Sequence, residues 1–150
     1  MKVILGVDDA KSSKELSRAV VKQFRAEATE VTVLHVLQPV GPAPPQMDPG
    51  YAPELEGQRE HAHRLVEHTA KELRAAGFKV STQVKIGDIR EVLIDTASDW
   101  QADLIVVGSH GKRGLQRFLL GGVAEFVARH AGCSVQIVRL REKRSADAER

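Results

Sequence analysis

The chain has 150 residues, with 22 Lys and Arg against 20 Asp and Glu, a formal net charge of +2 and one cysteine. That length suits one domain, large enough to bury roughly 70% of the surface its unfolded form exposes, and argues against a second. Charges of both signs are interspersed as far as the C-terminal tail, so composition points to neither nucleic acid nor membrane as partner, and no run approaches the ~20 apolar residues that span a bilayer.

The opening MKVILGVDD holds too few apolar residues for the core of a signal peptide, and Cys133 has no second cysteine to pair with, which together predict a cytoplasmic protein. Lys2 to Val7 is a short apolar run closed by Asp8 and Asp9, the pattern of a parallel strand buried on both faces. Ser12 and Glu15 stand at capping-box spacing, and Leu16, Ala19, Val20 and Phe24 recur at helical intervals, so a helix is expected from near Ser13. Val31 to Leu37 is a second strand.

From Pro39 to Pro53 the chain is expected to be irregular, because all six prolines fall in those fifteen residues and each removes a backbone donor. Such a connection is either a functional lid or a mobile excursion. Leu55, Ala62, Leu65, Val66, Thr69, Leu73 and Ala76 then mark one face of a second helix that Gly77 terminates. Phe78 to Ile86 reads as the third strand and Gly87 as a turn. Asp88 with Glu91 repeats the capping spacing ahead of a third helix, whose stripe is Ile89, Val92, Leu93, Thr96, Ala97 and Trp100. Leu104 to Val107 is the fourth strand. Val123, Phe126, Val127 and His130 mark a fourth helix, and Ser134 to Leu140 a fifth strand.

Strands that alternate with helices imply an α/β fold, here an open five-stranded parallel sheet with helices on both faces and right-handed crossovers. Ligands of such folds bind beyond the carboxyl ends of the strands, where strand order reverses. The domain is expected to run over residues 1–140, and the charged stretch 141–150, which has no apolar stripe, to form an unstructured tail.

The fourth strand runs into Gly108-Ser109-His110-Gly111-Lys112-Arg113-Gly114, and Gly121-Gly122 precedes the fourth helix. Two adjacent glycines cost a helix interior about 1 kcal/mol each relative to alanine, so they belong at its first turn, where a ligand can approach backbone N–H groups. A helix start of this kind attracts phosphate through unpaired donors and the helix dipole. A Walker A loop is excluded, because Arg113 follows Gly111-Lys112 where Ser or Thr is required. A dinucleotide fingerprint is excluded as well, because the first turn, Val7-Asp8-Asp9-Ala10, has no glycine. The plain alternative is that the glycines only make a tight loop.

His61, His63 and His68 lack the H-E-x-x-H spacing and read as a solvated face, with no metal site implied. Lys112, Arg113 and Arg117 either screen phosphates or are simply solvated. No Ser/His/Asp or Cys/His constellation can be assembled from the sequence, so no catalytic residue is assigned. Cys133 reads as a packed small residue.

Ala102-Asp-Leu-Ile-Val-Val-Gly-Ser-His-Gly, Glu125 to Cys133 (EFVARHAGC) and the opening Ile4-Leu-Gly-Val-Asp resemble the universal stress protein family, a Rossmann-like branch of the adenine-nucleotide-binding α/β folds related to the adenine nucleotide alpha hydrolases. Gly108, Gly111 and Gly121 stand at the spacing of the family's ATP motif, G-x2-G-x9-G-[S/T]. The resemblance implies that Asp8 and Gly108 approach the ribose and that Val36 lies near the adenine. It also implies that the backbone around Gly111, Gly121, Gly122 and Val123 receives the phosphates of ATP, with Mg²⁺ bound through them, and that Ser109 and His110 belong to the same nucleotide site. Gly122 departs from the motif, which has a hydroxyl residue there.

The resemblance further implies a homodimer paired through the strand Ser134 to Leu140. It implies a nucleotide-responsive stress regulator, which works through a conformational change or a protein partner, with at most weak ATP hydrolysis. The alternative of the same fold is a nucleotide-free dimeric adaptor.

Overall fold

The computed structural model describes residues 1–39, 51–110 and 120–141, with 51–54 described at the backbone alone. In chain order the elements are β1 (Lys2–Gly6), α1 (Ala10–Gln23), a 3₁₀ turn (Ala26–Ala28), β2 (Glu30–Leu37), α2 (Tyr51–Ala75), β3 (Lys79–Ile86), α3 (Ile89–Trp100), β4 (Leu104–Gly108), α4 (Gly122–His130) and β5 (Ser134–Val138). The five strands form one sheet in the order β3-β2-β1-β4-β5, parallel at every pairing. The fold expected from the alternation of strands and helices is therefore the fold observed.

The central strands are apolar throughout because both of their faces are covered. Val3 and Leu5 of β1, with Val31, Val33 and Val106, pack on Leu16 and Val20 of α1 and on Leu65, Val66 and Leu73 of α2. Ile4, one residue out of phase, joins Leu34, Ile105 and Val107 against Leu93 and Ala97 of α3 and Ala124 and Val127 of α4. The period of two along each strand thus sorts its side chains between two cores. Full burial of each such side chain is worth about 1.5–3 kcal/mol, so these strands are the fixed frame on which the loops sit.

Local signals differ from expectation at three places. α1 begins at Ala10, because the carboxylate of Asp9 accepts the Ser12 N–H at 2.7 Å and caps the helix earlier than Ser12 would. Glu15 then sits beyond the first turn, and accepts the Arg141 N–H at 3.1 Å instead of closing a capping box. α2 begins at Tyr51, so Pro53 lies in its first turn, where its missing N–H costs no intrahelical bond. The remainder of the proline-rich segment, 40–50, lies outside the described residues. Finally, β5 ends at Val138, two residues short of Leu140.

Other signals hold. Gly77 follows α2 with φ +97°, a backbone that L side chains rarely adopt. Asp88 caps α3 by accepting the Arg90 N–H at 2.9 Å. β5 is an edge strand, as is β3 on the opposite side. Of the tail, 142–150 lie outside the described residues.

Candidate functional site

From β1 the chain winds outward to β2 and β3, then crosses back to β4 and winds the other way to β5. The order reverses between β1 and β4, and a crevice opens beyond their carboxyl ends. A cavity of about 390 Å³ lies there. Its walls are Gly6, Val7 and Asp8 from the end of β1, Leu34, Val36 and Gln38 from β2 and its exit, Ile89 and Leu93 from α3, Val107, Gly108 and His110 from the end of β4, and Gly121, Gly122, Val123 and Ala124 from the start of α4. The volume is within the range of small-molecule sites, and so is the character of a mostly apolar wall with a few polar groups.

Asp8, Val36, Gly108, His110, Gly121, Gly122 and Val123, all singled out from the sequence, are brought together in that wall. Ser109 does not line it. Its N–H donates to the Val138 carbonyl at 2.8 Å, its carbonyl accepts from the Gly121 N–H at 2.6 Å, and its hydroxyl accepts the Leu140 N–H at 3.1 Å. The Ser109 hydroxyl also lies 3.2 Å from His110 Nδ1. Ser109 is thus a fastener that ties the end of β4 to the exit of β5 and the entry of α4. Gly111, Lys112, Arg113 and Arg117 lie outside the described residues.

The glycines of the wall serve different ends. A Cβ on Gly108 would stand 2.6 Å from Leu140 Cδ1 and 3.2 Å from its Cγ, so a larger residue there would need the end of the Leu140 side chain to move. A Cβ on Gly122 would meet nothing within 4 Å. Gly121 is the N-cap of α4 and offers no side-chain cap. The first intrahelical bond runs from the Glu125 N–H to the Gly121 carbonyl at 3.1 Å. The N–H groups of Gly122, Val123 and Ala124 therefore have no acceptor within the helix, at the end where the helix dipole favours an anion.

Sequence reasoning missed several wall residues. Gly6 reads only as part of a strand, yet a Cβ there would stand 3.1 Å from Leu93 Cδ2 and 3.2 Å from Val107 Cγ1. A glycine inside a strand was the available signal, since it marks close approach by a neighbour. Ile89 and Leu93 were legible as the buried stripe of α3, but nothing in their spacing says that they also face a cavity. His35 was missed altogether: its Nδ1 lies 2.8 Å from the Val7 carbonyl, beside Asp8.

A second cavity of about 560 Å³ shares Asp8, Val36, Gln38 and Ile89 with the first, and adds His35, Leu37, Gly57, Gln58 and His61. His61 is thus part of a wall, while His68 lies 3.5 Å from the Glu72 carboxylate. Among the described residues no three His, Cys, Asp or Glu side chains gather as a metal site. Cys133 is far from this end, in the wall of a separate cavity of about 250 Å³. Burial, and then the Asp103 carboxylate, push its thiol pKa up.

Strand order 3-2-1-4-5 with a cavity at the reversal defines a Rossmann-like, doubly wound α/β domain. The model of the Universal stress protein family matches residues 1–139, and the chain belongs to that family. Universal stress protein MJ0531 of Methanocaldococcus jannaschii is 32% identical over 145 residues, which cover 95% of this chain and 84% of the relative. The structure of MJ0577 from the same organism aligns with a TM-score of 0.78 at 28% identity, over 95% of this chain and 97% of that one. A universal stress protein from Arabidopsis thaliana, solved with AMP bound, aligns with a TM-score of 0.69 at 21% identity, over 99% of this chain and 94% of that one; this likeness is one of fold.

Proposed function

We propose that this chain binds an adenine nucleotide in the cavity beyond β1 and β4, that the nucleotide is ATP with Mg²⁺ carried on its phosphates, and that occupancy is the signal of a stress regulator. The observation that carries the reading is one cavity of about 390 Å³ that joins the Asp8 carboxylate, an apolar wall at Val36, Ile89 and Leu93, and the first turn of α4. Each part suits a different part of a nucleotide. A carboxylate accepts the ribose hydroxyls, an apolar wall takes the base, and first-turn N–H groups take phosphate. The fold shared with the AMP-bound Arabidopsis protein agrees with this assignment.

On this reading binding is the function, and any turnover is slow. A change in occupancy would be felt at the entry of α4, which Ser109 ties to β5, the edge strand through which two copies of the chain would pair in the cytoplasm. A second reading, a nucleotide-free dimeric adaptor, draws support from two observations. Gly122 offers no hydroxyl to a phosphate, and Gly108 lies against the Leu140 side chain, a close approach that involves no ligand.

Mass analysis of small molecules released from freshly purified, denatured protein, followed by calorimetric titration with ATP and Mg²⁺ and with AMP, separates the two. Release or titratable binding of an adenine nucleotide is the expected result. Protein that carries none and gives no heat with either nucleotide would leave the adaptor reading in its place.

A further inference from the structure

β1 leaves the sheet in an unusual way. It pairs with β2 in register from Lys2 with Glu30 to Gly6 with Leu34, and the Val7 N–H then donates to the Leu34 carbonyl at 2.9 Å. A continuing parallel ladder would next bring the main-chain N–H of Val36 to the Val7 carbonyl. The pairing stops instead, and the carbonyl is met by the imidazole Nδ1 of His35 at 2.8 Å. A carbonyl oxygen can only accept, so Nδ1 carries the proton.

The Val7 carbonyl and the Asp8 N–H belong to one rigid peptide plane. Holding the oxygen therefore fixes the plane, and with it the direction in which Asp8 departs from the strand. Asp8 lines both cavities, and His35 is half-buried in the wall of the second.

We infer that His35 is a positioning residue for nucleotide binding, its Nδ1–H clamping the Val7–Asp8 peptide so that the Asp8 carboxylate is held toward the ribose. The inference rests on the reading of the first cavity as a nucleotide site. It assigns His35 no contact with the nucleotide.

Two variants separate clamp from bulk. The amide nitrogen of His35→Asn can donate from near the position of Nδ1, whereas His35→Leu fills space and donates nothing. Calorimetry should show ATP weakened roughly tenfold in His35→Leu and kept within about threefold in His35→Asn, the loss of about one hydrogen bond's worth of alignment. Binding of 2′,3′-dideoxy-ATP, which lacks the hydroxyls that Asp8 would read, should change by less than about twofold, and His35→Leu should add little to Asp8→Asn. Equal losses for both nucleotides, or an Asn variant as weak as the Leu variant, would overturn the clamp.

A ligand-free arm keeps the two readings apart. Long-range ¹H–¹⁵N spectra should show His35 protonated at Nδ1, and the Asp8 amide resonance should shift in His35→Leu but stay near wild type in His35→Asn. A neutral ring protonated at Nε2 alone, or an Asp8 amide unmoved in His35→Leu, would reject the inference. Wild-type protein that takes up no nucleotide would sink the nucleotide reading, and the spectra would still decide whether the clamp exists.

Discussion

The two ends of the parallel sheet are built differently. At the amino end, the Lys2 N–H donates to the Asp103 carboxylate at 2.7 Å and the Asp103 N–H returns to the Lys2 carbonyl at 2.8 Å. The Glu30 N–H reaches the Met1 carbonyl at 2.8 Å, and the terminal ammonium reaches the Ala28 carbonyl at 2.8 Å. The entries of β1, β2 and β4 are thus fastened to one another. At the carboxyl end β1 and β4 part after Leu5 and Val106, the cavity opens, and side chains of Ser109 and His35 take over work that the ladder does elsewhere. Parallel topology is the cause. Each of β1 to β4 is followed by a helix that starts on the same edge, so that edge collects unpaired N–H groups and positive dipole ends.

Cutting the frame common to both ends should have the largest effect. Ile105 is fully buried between the sheet and the α3–α4 layer, so Ile105→Ala should cost about 2–5 kcal/mol in urea unfolding and, at temperatures where the variant unfolds, remove any ligand binding with it. Asp8→Asn should do the reverse. Nucleotide affinity should fall roughly tenfold to a hundredfold by calorimetry, with a smaller change in the urea midpoint than Ile105→Ala causes, because the charged acceptor in the cavity wall is altered and no core side chain is removed. A variant that loses stability and keeps affinity would make Asp8 a structural residue.

The amino end should answer in the opposite sense. Asp103→Ala removes the acceptor of the Lys2 N–H and should cost about 1 kcal/mol while leaving nucleotide affinity unchanged. Cys133 offers a finer probe of the same end. Burial first and the Asp103 carboxylate second raise its thiol pKa above the ordinary 9.0, so at pH 8 its alkylation by iodoacetamide should be slower than that of a free cysteine, and faster in Asp103→Asn. The folded state then holds the thiol proton to higher pH than the unfolded state does. That contribution is complete below the ordinary value and is lost as pH rises past it through the folded value, a decline that Cys133→Ser should remove from urea midpoints.

The amino-acid pattern reports these two ends unequally. Element order and sheet type follow from runs such as Leu104 to Val107 and from the stripe of α3, because burial on both faces writes itself into every residue of a central strand. The position of part of the cavity wall was also legible, since Gly121-Gly122 must lie at a helix start and Asp8 at a strand end. What was not legible depends on contacts distant in sequence. Ser109 reads as a ligand residue until Leu140 is seen to use its hydroxyl, and Gly108 reads as ligand space until Leu140 is seen to fill it. His35 is hidden for the same reason: inside VTVLHVL it is one polar residue in an apolar strand, and its partner is the carbonyl of Val7 on another strand. Asp9 shows a smaller version of the problem, since Asp9 and Ser12 both suit a helix cap and only geometry selects between them.

The smallest expected effect tests whether phosphate sits at the carboxyl end at all. Gly122 is the first residue of α4, is exposed, and has no atom within 4 Å of where a Cβ would stand, so Gly122→Ser can be accommodated without repacking. Replacing a glycine in the first turn should by itself stabilise the helix by a few tenths of a kcal/mol, or about that much in the urea midpoint. A serine hydroxyl that reaches a distal phosphate should add roughly 0.5–1.5 kcal/mol, or about twofold to tenfold in ATP affinity, toward the lower end because the position is solvated. AMP has no distal phosphate, and its affinity should stay within error of wild type. Calorimetry with both nucleotides on both proteins therefore separates a hydroxyl contact from a sturdier helix. A gain for ATP alone locates the distal phosphates at the start of α4, an equal gain for AMP assigns the effect to the helix, and a higher urea midpoint with no gain for either nucleotide would move the phosphates away from Gly122.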